Sequence, residues 1–224
     1  MGRSRDLADG KLTELLDVEQ STGHSVQLDH TSTSGYSSVA WAENGTIKAY
    51  SAHFGTTDGS GERLQHWVAS NAPMTFGTNN TERMRIDSSG RVTMPYQPSF
   101  AAYRGSYSLP TQSWTTIVYD NCTLNRGSHY STSTGRFTAP VAGYYYFEAI
   151  GEGGGGQFHT LIAVNGATPS GYADTAQNWT SSNVSRQALV VSLSANDYVF
   201  VQHYIDSGKT MTNNRSHFHG WLIG

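Results

Sequence analysis

The sequence predicts an all-β protein, and three observations lead to that prediction. Serine, threonine and glycine contribute 27, 24 and 24 of the 224 residues, and these residues favour turns and exposed loops. Charged residues make up only 14% of the chain, whereas aromatic residues make up 12% and include 13 tyrosines, which are common in strands. Helical spacing of apolar residues occurs only between residues 6 and 20. The chain is therefore expected to form many short strands joined by turns.

The composition also excludes several functional classes. A formal net charge of −3 gives no general affinity for nucleic acid. No apolar run approaches the roughly 18 residues of a membrane-spanning helix, and no apolar signal-peptide core follows Met1. The single cysteine, Cys122, rules out an internal disulfide and a cysteine-rich zinc site, and it is expected to be a small buried side chain. We therefore expect neither nucleic-acid binding nor membrane insertion.

Residues 1–30 are predicted to be an attachment segment. Leu12, Leu15 and Leu16 have helical spacing, and Asp9 is a candidate N-cap. About three helical turns are marginally stable in isolation, so we expect this segment to order on a partner or against copies of itself. A frayed terminus is the simpler alternative.

Residues 31–98 are predicted to form a β-rich shaft. The segments 38–42 and 45–50 alternate apolar and polar side chains, and turn residues separate the strand patterns. About 70 residues with so few Leu, Ile and Phe side chains cannot fill a core of their own, so several chains are expected to share their apolar faces. Pro95 and Pro98 end the shaft, because proline disfavours both helix and ladder pairing.

One stretch of the shaft has a recognisable sequence. The run APMTFGTNNTERMRIDSSGRV, from Ala72 to Val92, resembles a module of tailed-bacteriophage fibre proteins, in which F-x-T-N-x-x-E-R-M-R-I-D-x-x-G-x-V precedes a C-terminal head. Read physically, the run predicts two strands followed by a turn at residues 87–90. The resemblance implies a structural virion protein of the phage tail, with residues 1–30 attached to other tail proteins.

Residues 99–224 are predicted to form a β-sandwich or jelly-roll head. Eight strand patterns occur in about 125 residues with no helical periodicity between them. They lie at residues 99–103, 114–119, 136–138, 143–150, 159–164, 186–193, 197–204 and 217–223. Tyr145 and Phe147 alternate on one strand face, so both are expected to point into the core.

The spacing of these residues is similar to a known signature. The pattern N-x4-Y-x6-F-x5-G-x-Y-x-F is met by Asn125, Tyr130, Phe137, Gly143, Tyr145 and Phe147. It resembles the globular head of the complement one-q (C1q) family, whose fold belongs with tumour necrosis factor. The departures are Tyr119 where Phe is usual, Ala149 where an aromatic residue is usual, and Asn196 in place of Gly. The resemblance implies a jelly-roll head and a homotrimer.

No catalytic motif stands out, and the protein is not expected to be an enzyme. Residues 151–156 match G-x-G-x-x-G, but strand patterns flank the match on both sides, and a dinucleotide site needs a helix after it. A flexible hairpin tip is the better interpretation. A polysaccharide depolymerase would need two placed carboxylates, and no such pair is evident.

Two histidines are the only candidate metal ligands. His217 and His219 flank Phe218 and therefore share one strand face, and imidazole suits transition metals. Threefold symmetry would bring six imidazoles near an axis, and His-x-His pairs in phage fibres bind metal in that way. The alternative is that both histidines hydrogen-bond across strands. No cofactor is expected, apart from this metal ion on the trimer axis.

Two loops of the head are predicted to bind a receptor, because loops on rigid β scaffolds carry most binding sites. Their candidate contact residues offer aromatic, amide and charged groups suited to sugars: Tyr172, Asn178, Trp179, Asp206, Asn213 and Arg215. Trp179 is the strongest single candidate, since an exposed tryptophan often marks a contact.

The predicted function is therefore adhesion by a trimeric phage tail fibre whose head binds the host cell surface, through a glycan, lipopolysaccharide or surface protein. The first alternative is a head that trimerises, caps or docks the tail without touching the host. The second is the polysaccharide depolymerase, and the third is a secreted bacterial lectin. The implied location is the virion.

Overall fold

The computed structural model describes residues 36–55, 61–152, 157–167, 177–178, 184–206, 209–211 and 215–224. The predicted attachment segment, residues 1–30, lies outside these ranges. Within them the chain forms strands and no helix, which confirms the all-β prediction. No helix in this part of the chain is long and apolar enough to span a membrane.

The strands are β1 (Tyr36–Glu43), β2 (Thr46–Phe54), β3 (Arg63–Val68), β4 (Met74–Thr78), β5 (Thr81–Ile86), β6 (Val92–Thr93), β7 (Ser99–Arg104), β8 (Tyr107–Leu109), β9 (Thr115–Ile117), β10 (Asn121–Arg126), β11 (Tyr130–Ser131), β12 (Arg136–Thr138), β13 (Gly143–Glu152), β14 (Phe158–Val164), β15 (Gln177–Asn178), β16 (Val184–Leu193), β17 (Tyr198–Ile205), β18 (Lys209–Met211) and β19 (Ser216–Leu222). They belong to two compact units: the described residues up to 76 with residues 85–92, and residues 77–84 with 93–224.

In the first unit, β1, β2 and β3 form an antiparallel sheet in that order. Asn44 and Gly45, with φ of 49° and 78°, make the tight turn between β1 and β2 that the sequence predicted at this point. Large apolar side chains are exposed on both sheet faces. Val39, Trp41 and Leu64 lie on one face, and Tyr36 and Trp67 on the other.

The phage-like run folds as strands and turns. β4, β5 and β6 form a three-stranded sheet, as the run predicted for its first two strands. The carboxylate of Asp87 closes the following turn, because Oδ1 accepts the backbone N–H groups of Ser89 and Arg91 at 2.9 and 3.0 Å. The predicted turn at residues 87–90 is therefore confirmed.

The second unit is a β-sandwich. One sheet has the order β10-β7-β19-β13-β16, and the other has β11-β12-β17-β14-β15 with β9 also paired to β17. The core between them is rich in aromatic rings. Phe100 stacks on Tyr130 at 4.7 Å and on Phe137 at 5.1 Å, and Phe218 meets it edge-on at 4.8 Å. Tyr145 and Phe147 are fully buried, as predicted.

The signature residues have identifiable structural roles. The Asn125 side chain donates from Nδ2 to the carbonyl of Tyr130 at 2.8 Å and accepts the Tyr130 N–H at 3.1 Å, so it holds the entry to β11. Gly143 has little room for a side chain, because a Cβ there would lie 2.9 Å from Leu222 Cδ1 and 3.0 Å from the carbonyl oxygen of Gly224.

Several strands were not predicted, and β10 shows why. It is an edge strand with a bulge between Cys122 and Leu124, so its side chains do not alternate between buried and exposed. Cys122 is half-buried rather than buried, and its Sγ lies 2.9 Å from the Leu124 carbonyl oxygen. β3, with six residues, was also not predicted, and the other unpredicted strands, β6, β8, β11, β15 and β18, have only two or three residues each.

Candidate functional site

Two of the predicted receptor-binding residues lie at one end of the β14 strand. In the sheet, Phe158 pairs with Ile205 on one side and with Asn178 on the other. Asp206 follows Ile205 directly, and its N–H donates to the Gln157 carbonyl at 3.1 Å. The structure therefore brings the backbones of Asn178 and Asp206 to the same sheet end. Asn178 was expected in a loop and lies instead in β15, because this short segment pairs with the edge of β14.

Arg215 belongs to the other sheet of the sandwich, immediately before β19. Its Nη1 lies 2.6 Å from Oε1 of Glu152, at the end of β13. Because β14 begins soon after β13 ends, this ion pair marks the same end of the sandwich as Asp206. Tyr172, Trp179 and Asn213 lie outside the described residues.

An aromatic cluster at this end was not predicted from the sequence. The ring centroids of Trp114 and Tyr204 are 5.6 Å apart, and His159 lies 6.2 Å from Trp114 and 5.6 Å from Tyr204. We call Trp114, His159 and Tyr204 the aromatic platform. Trp114 is 45% exposed, whereas His159 is only 5% exposed. An exposed indole thus lies beside a buried imidazole.

Strand register explains how the platform forms. His159 and Tyr204 are direct cross-strand partners, and the neighbours of Tyr204 in β17, His203 and Ile205, are fully buried. Tyr204 therefore points to the outer face of the sheet. This alternation was readable in the sequence, but the position of Trp114 was not, since it depends on the pairing of β9 with β17.

The pKa of the platform imidazole is lowered. Burial lowers the pKa of His159, and the nearby carboxylate of Asp206 partly offsets that effect. Asp206 itself is half-buried, and its Oδ1 is a buried atom without a hydrogen-bond partner among the residues that the structure describes. The described residues at this sheet end therefore place aromatic surface beside a carboxylate.

His203, on the inner face of β17, is a core residue and no part of this site. Its Nδ1 lies 2.8 Å from the Tyr107 hydroxyl and its Nε2 lies 3.4 Å from the Tyr119 hydroxyl. Complete burial lowers the pKa of His203 to about 3, and burial raises the pKa of Tyr107 to about 12. This network keeps neutral polar groups paired inside the sandwich.

The five-stranded sheet carries a second exposed surface on the side away from the core. Its large apolar members are exposed by 40–60%, and Tyr146 packs among them with its ring centroid 4.5 Å from that of Trp221. We call this surface the apolar face; its members are Tyr144, Tyr146, Val184, Val190 and Trp221.

A buried carboxylate lies within the apolar face. Glu148 is 8% exposed and forms an ion pair with Arg186. Tyr146 Oη donates to its Oε2 at 2.9 Å, and Nε2 of His219 lies 3.2 Å from the same oxygen. Burial raises the pKa of Glu148, but the bonds from Arg186 and Tyr146 outweigh that effect and hold its pKa below the usual value.

The two candidate metal ligands differ in their surroundings. His219 faces Glu148 across β13 and β19, which is the cross-strand hydrogen bonding that the alternative interpretation expected. His217 is exposed, and its ring lies 6.4 Å from that of Tyr103. Across the described ranges, no three His, Cys, Asp or Glu side chains of one chain are placed to hold a metal ion. The metal on a trimer axis stays a prediction.

Comparisons with known proteins agree on the second unit. A model of the C1q domain matches residues 99–223. Complement C1q tumour necrosis factor-related protein 5 of Rattus norvegicus is 26% identical over 110 residues, covering 49% of this chain and 45% of the relative. The Homo sapiens protein of the same name shows the same identity and coverage. The chain thus spans less than half the length of these curated relatives.

Solved structures also resemble part of the chain. The globular domain of zebrafish complement 1qA protein is 17% identical, with 57% of this chain and 98% of that chain covered and a TM-score of 0.43. Murine APRIL is 10% identical, with 57% and 99% covered and a TM-score of 0.41.

Proposed function

The chain belongs to the C1q domain family through residues 99–223, and we propose that it is a homotrimeric adhesion protein whose head binds a cell surface. Domains of the C1q and tumour necrosis factor type form homotrimers and often bind ligands. Related C1q proteins are non-enzymatic signalling or structural proteins, which agrees with the prediction that this chain is not an enzyme.

The apolar face is the observation that carries the trimer proposal. Tyr144, Val190 and Trp221 are 60%, 45% and 44% exposed on a single copy. Contiguous exposed aromatic and aliphatic surface of this kind marks an interface. Second and third copies of this chain are the occupants that we propose, since each copy carries the same face and closed symmetry then buries all three faces.

Glu148 and the residues that contact it, Arg186, Tyr146 and His219, are called the Glu148 cluster. These contacts allow the face to be buried without isolating a charge. A charge that loses water on assembly is costly unless it is already paired and hydrogen-bonded. The Glu148 carboxylate already has contacts with Arg186, Tyr146 and His219 within one copy. Assembly would therefore cover a satisfied carboxylate rather than an isolated one.

The first unit independently supports association. Its sheet exposes Val39, Trp41 and Leu64 on one face and Tyr36 and Trp67 on the other. A single three-stranded sheet cannot cover both of its faces. We propose that three chains wrap together here as a shaft (residues 31–98), which the head (residues 99–224) follows in the sequence.

The phage-like run extends the proposal to a biological setting. Because the run from Ala72 to Val92 resembles a fibre module of tailed phages, we assign the chain to the virion as a tail fibre. Residues 1–30 would attach it to other tail proteins, and the head would contact a bacterial glycan or surface protein. Three weak sites on each trimer, and several trimers on each particle, would give avidity.

Binding of the purified full chain to bacterial cells tests this function. The probe is the fluorescently labelled chain, and the targets are a panel of Gram-negative cells and their purified lipopolysaccharides. We expect saturable binding to at least one strain, competed by unlabelled protein. A folded trimer that binds no strain at any concentration would contradict adhesion and favour the capping or docking head.

A polysaccharide assay on the same strains addresses the depolymerase. Incubation of the full chain with each purified polysaccharide should leave the polymer length unchanged, because the family is non-enzymatic. Shortened products would contradict the assignment.

A further inference from the structure

The aromatic platform is an exposed surface that the trimer proposal leaves unexplained. Its residues lie on the outer face of the six-stranded sheet, whereas the apolar face belongs to the five-stranded sheet. The two sheets enclose the core between them. Assembly through the apolar face would therefore leave the platform accessible to a ligand.

The three rings form a preorganised arrangement. Trp114 is tilted by 45° to Tyr204, and His159 meets Tyr204 edge-on at 64°. Tyrosine and tryptophan provide large, rigid contact area at low conformational-entropy cost. Since His159 is buried, a ligand would meet chiefly the Trp114 and Tyr204 rings.

Polar groups adjoin the rings at the same sheet end. Asp206 is two residues beyond Tyr204, and it contributes to the electrostatic environment of His159. Asp206 is half-buried and its Oδ1 is enclosed by protein, so a ligand would reach this carboxylate only through the other oxygen. The backbone of Asn178 pairs beside the same strand end at Phe158. A ligand that donates hydroxyl groups suits this carboxylate.

The ligand chemistry follows from these two features together. A pyranose ring has an apolar C–H face that packs on an aromatic ring and hydroxyl groups at its edge that donate to a carboxylate. Residues 99–224 carry six basic and six acidic groups, so the head has no net charge with which to attract a polyanion. Binding sites of this mixed kind combine aromatic walls with a few placed polar groups.

We propose that the aromatic platform, together with Asp206, binds one sugar ring of a cell-surface glycan. The inference rests on the proposed adhesion function and assigns its contact point. It adds Trp114, His159 and Tyr204 to the site, none of which the sequence indicated.

The direct experiment reports on Trp114 in the full chain. The chain has five tryptophans, so fluorotryptophan labelling gives five fluorine NMR signals, and a Trp114→Phe variant identifies the one from Trp114. The probes are the methyl glycosides of glucose, galactose, N-acetylglucosamine and rhamnose, and polysaccharide released from lipopolysaccharide. We expect one or more probes to shift the Trp114 signal in a saturable manner. If no probe shifts it, the sugar platform is wrong, whatever the cells show.

A matched pair of variants provides the second readout. Tyr204→Ala removes part of the platform, whereas Tyr198→Ala removes a tyrosine from the same face at the other end of the same strand, where its ring packs under Arg136 at 4.3 Å. Asp206→Asn keeps the shape and removes the charge. We expect Tyr204→Ala and Asp206→Asn to weaken binding to cells by about tenfold or more, and Tyr198→Ala to bind like the unaltered chain.

The outcomes separate the inference from the function on which it rests. Cell binding that persists in Tyr204→Ala and Asp206→Asn would overturn the platform and leave adhesion standing. Binding that is lost after protease treatment of the cells, but retained after periodate oxidation of their glycans, would show a protein receptor and also overturn the sugar assignment. A shift of the Trp114 signal by a glycoside, without binding to any cell, would support the platform and contradict the adhesion function.

Discussion

The side chains of Glu148 and His219 face each other across two paired strands, with Oε2 and Nε2 3.2 Å apart. Both lie on the exposed side of the five-stranded sheet, where Arg186 and Tyr146 complete the environment of the carboxylate. The relationship links fold to assembly. We propose that this face is buried in a trimer. Among its described residues, the one buried carboxylate is already hydrogen-bonded within a single chain.

Replacing the carboxylate should weaken the fold. Glu148→Gln retains the shape but leaves Arg186 and His219 without their acidic partner, and we expect the free energy of unfolding to fall by about 1–2 kcal/mol. Urea denaturation measures the change. The matched control is Asp120→Asn, at an exposed acidic residue outside this cluster. Equal stability of the two variants would show that the Glu148 contacts contribute nothing.

Trimer assembly through the apolar face should depend on the apolar side chains of that face. Val190 is the cross-strand partner of Tyr146, and Glu148 is two residues further along the same strand as Tyr146. Val190→Asp therefore introduces a second negative charge near Glu148. We expect the trimer dissociation constant to rise by at least about tenfold, as sedimentation velocity would show. Thr132→Asp, at an exposed turn position before β12, should assemble normally. Equal assembly of both variants would contradict the proposed interface.

Close packing at Gly220 predicts a sharp contrast with another glycine. A Cβ at Gly220 would lie 2.4 Å from Phe147 Cδ1 and 2.7 Å from the Tyr146 carbonyl oxygen, whereas a Cβ at Gly224 meets nothing within 4 Å. Gly220→Ala should therefore lower the free energy of unfolding by about 1–3 kcal/mol. Gly224→Ala should leave it unchanged. Thermal unfolding of the two variants side by side decides the point.

The buried His203 predicts a pH dependence. Its pKa is lowered by burial from 6.5 to about 3, so the unfolded chain takes up a proton on this residue before the folded chain does. The stabilisation is complete above the unfolded pKa and is lost as the pH falls from 6.5 toward 3. The loss should amount to a few kcal/mol by about pH 4.

A variant isolates this contribution. His203→Asn removes the titrating group, so the fall in unfolding free energy between about pH 7 and about pH 4 should shrink. The exposed His53→Asn should retain the full dependence. If His203→Asn showed the same pH profile as the unaltered chain, the histidine would not be the cause.

The sequence predicted the strong strands because their side chains alternate. Tyr145 and Phe147 were expected inside the sandwich, and each is fully buried. The edge strand β10 was missed, since its bulge at Cys122 breaks the alternation that identifies a strand. Most strands of two or three residues were also missed, because so few residues carry little periodicity.

Individual site residues could be predicted from their residue type, but contacts between strands that are far apart in the chain could not. Asp206 and Asn178 were singled out by residue type, and their backbones flank the same strand end. Trp114 was not singled out, because its place beside Tyr204 depends on a pairing between strands far apart in the chain. The same holds for the Glu148 cluster, which joins β13, β16 and β19.

The native mass of the purified full chain tests the central claim most directly. One chain has a mass of 24.4 kDa, and light scattering of the protein in solution measures the mass of the assembly. The proposed homotrimer predicts a particle of three times the chain mass. A folded particle with the mass of a single chain would contradict it.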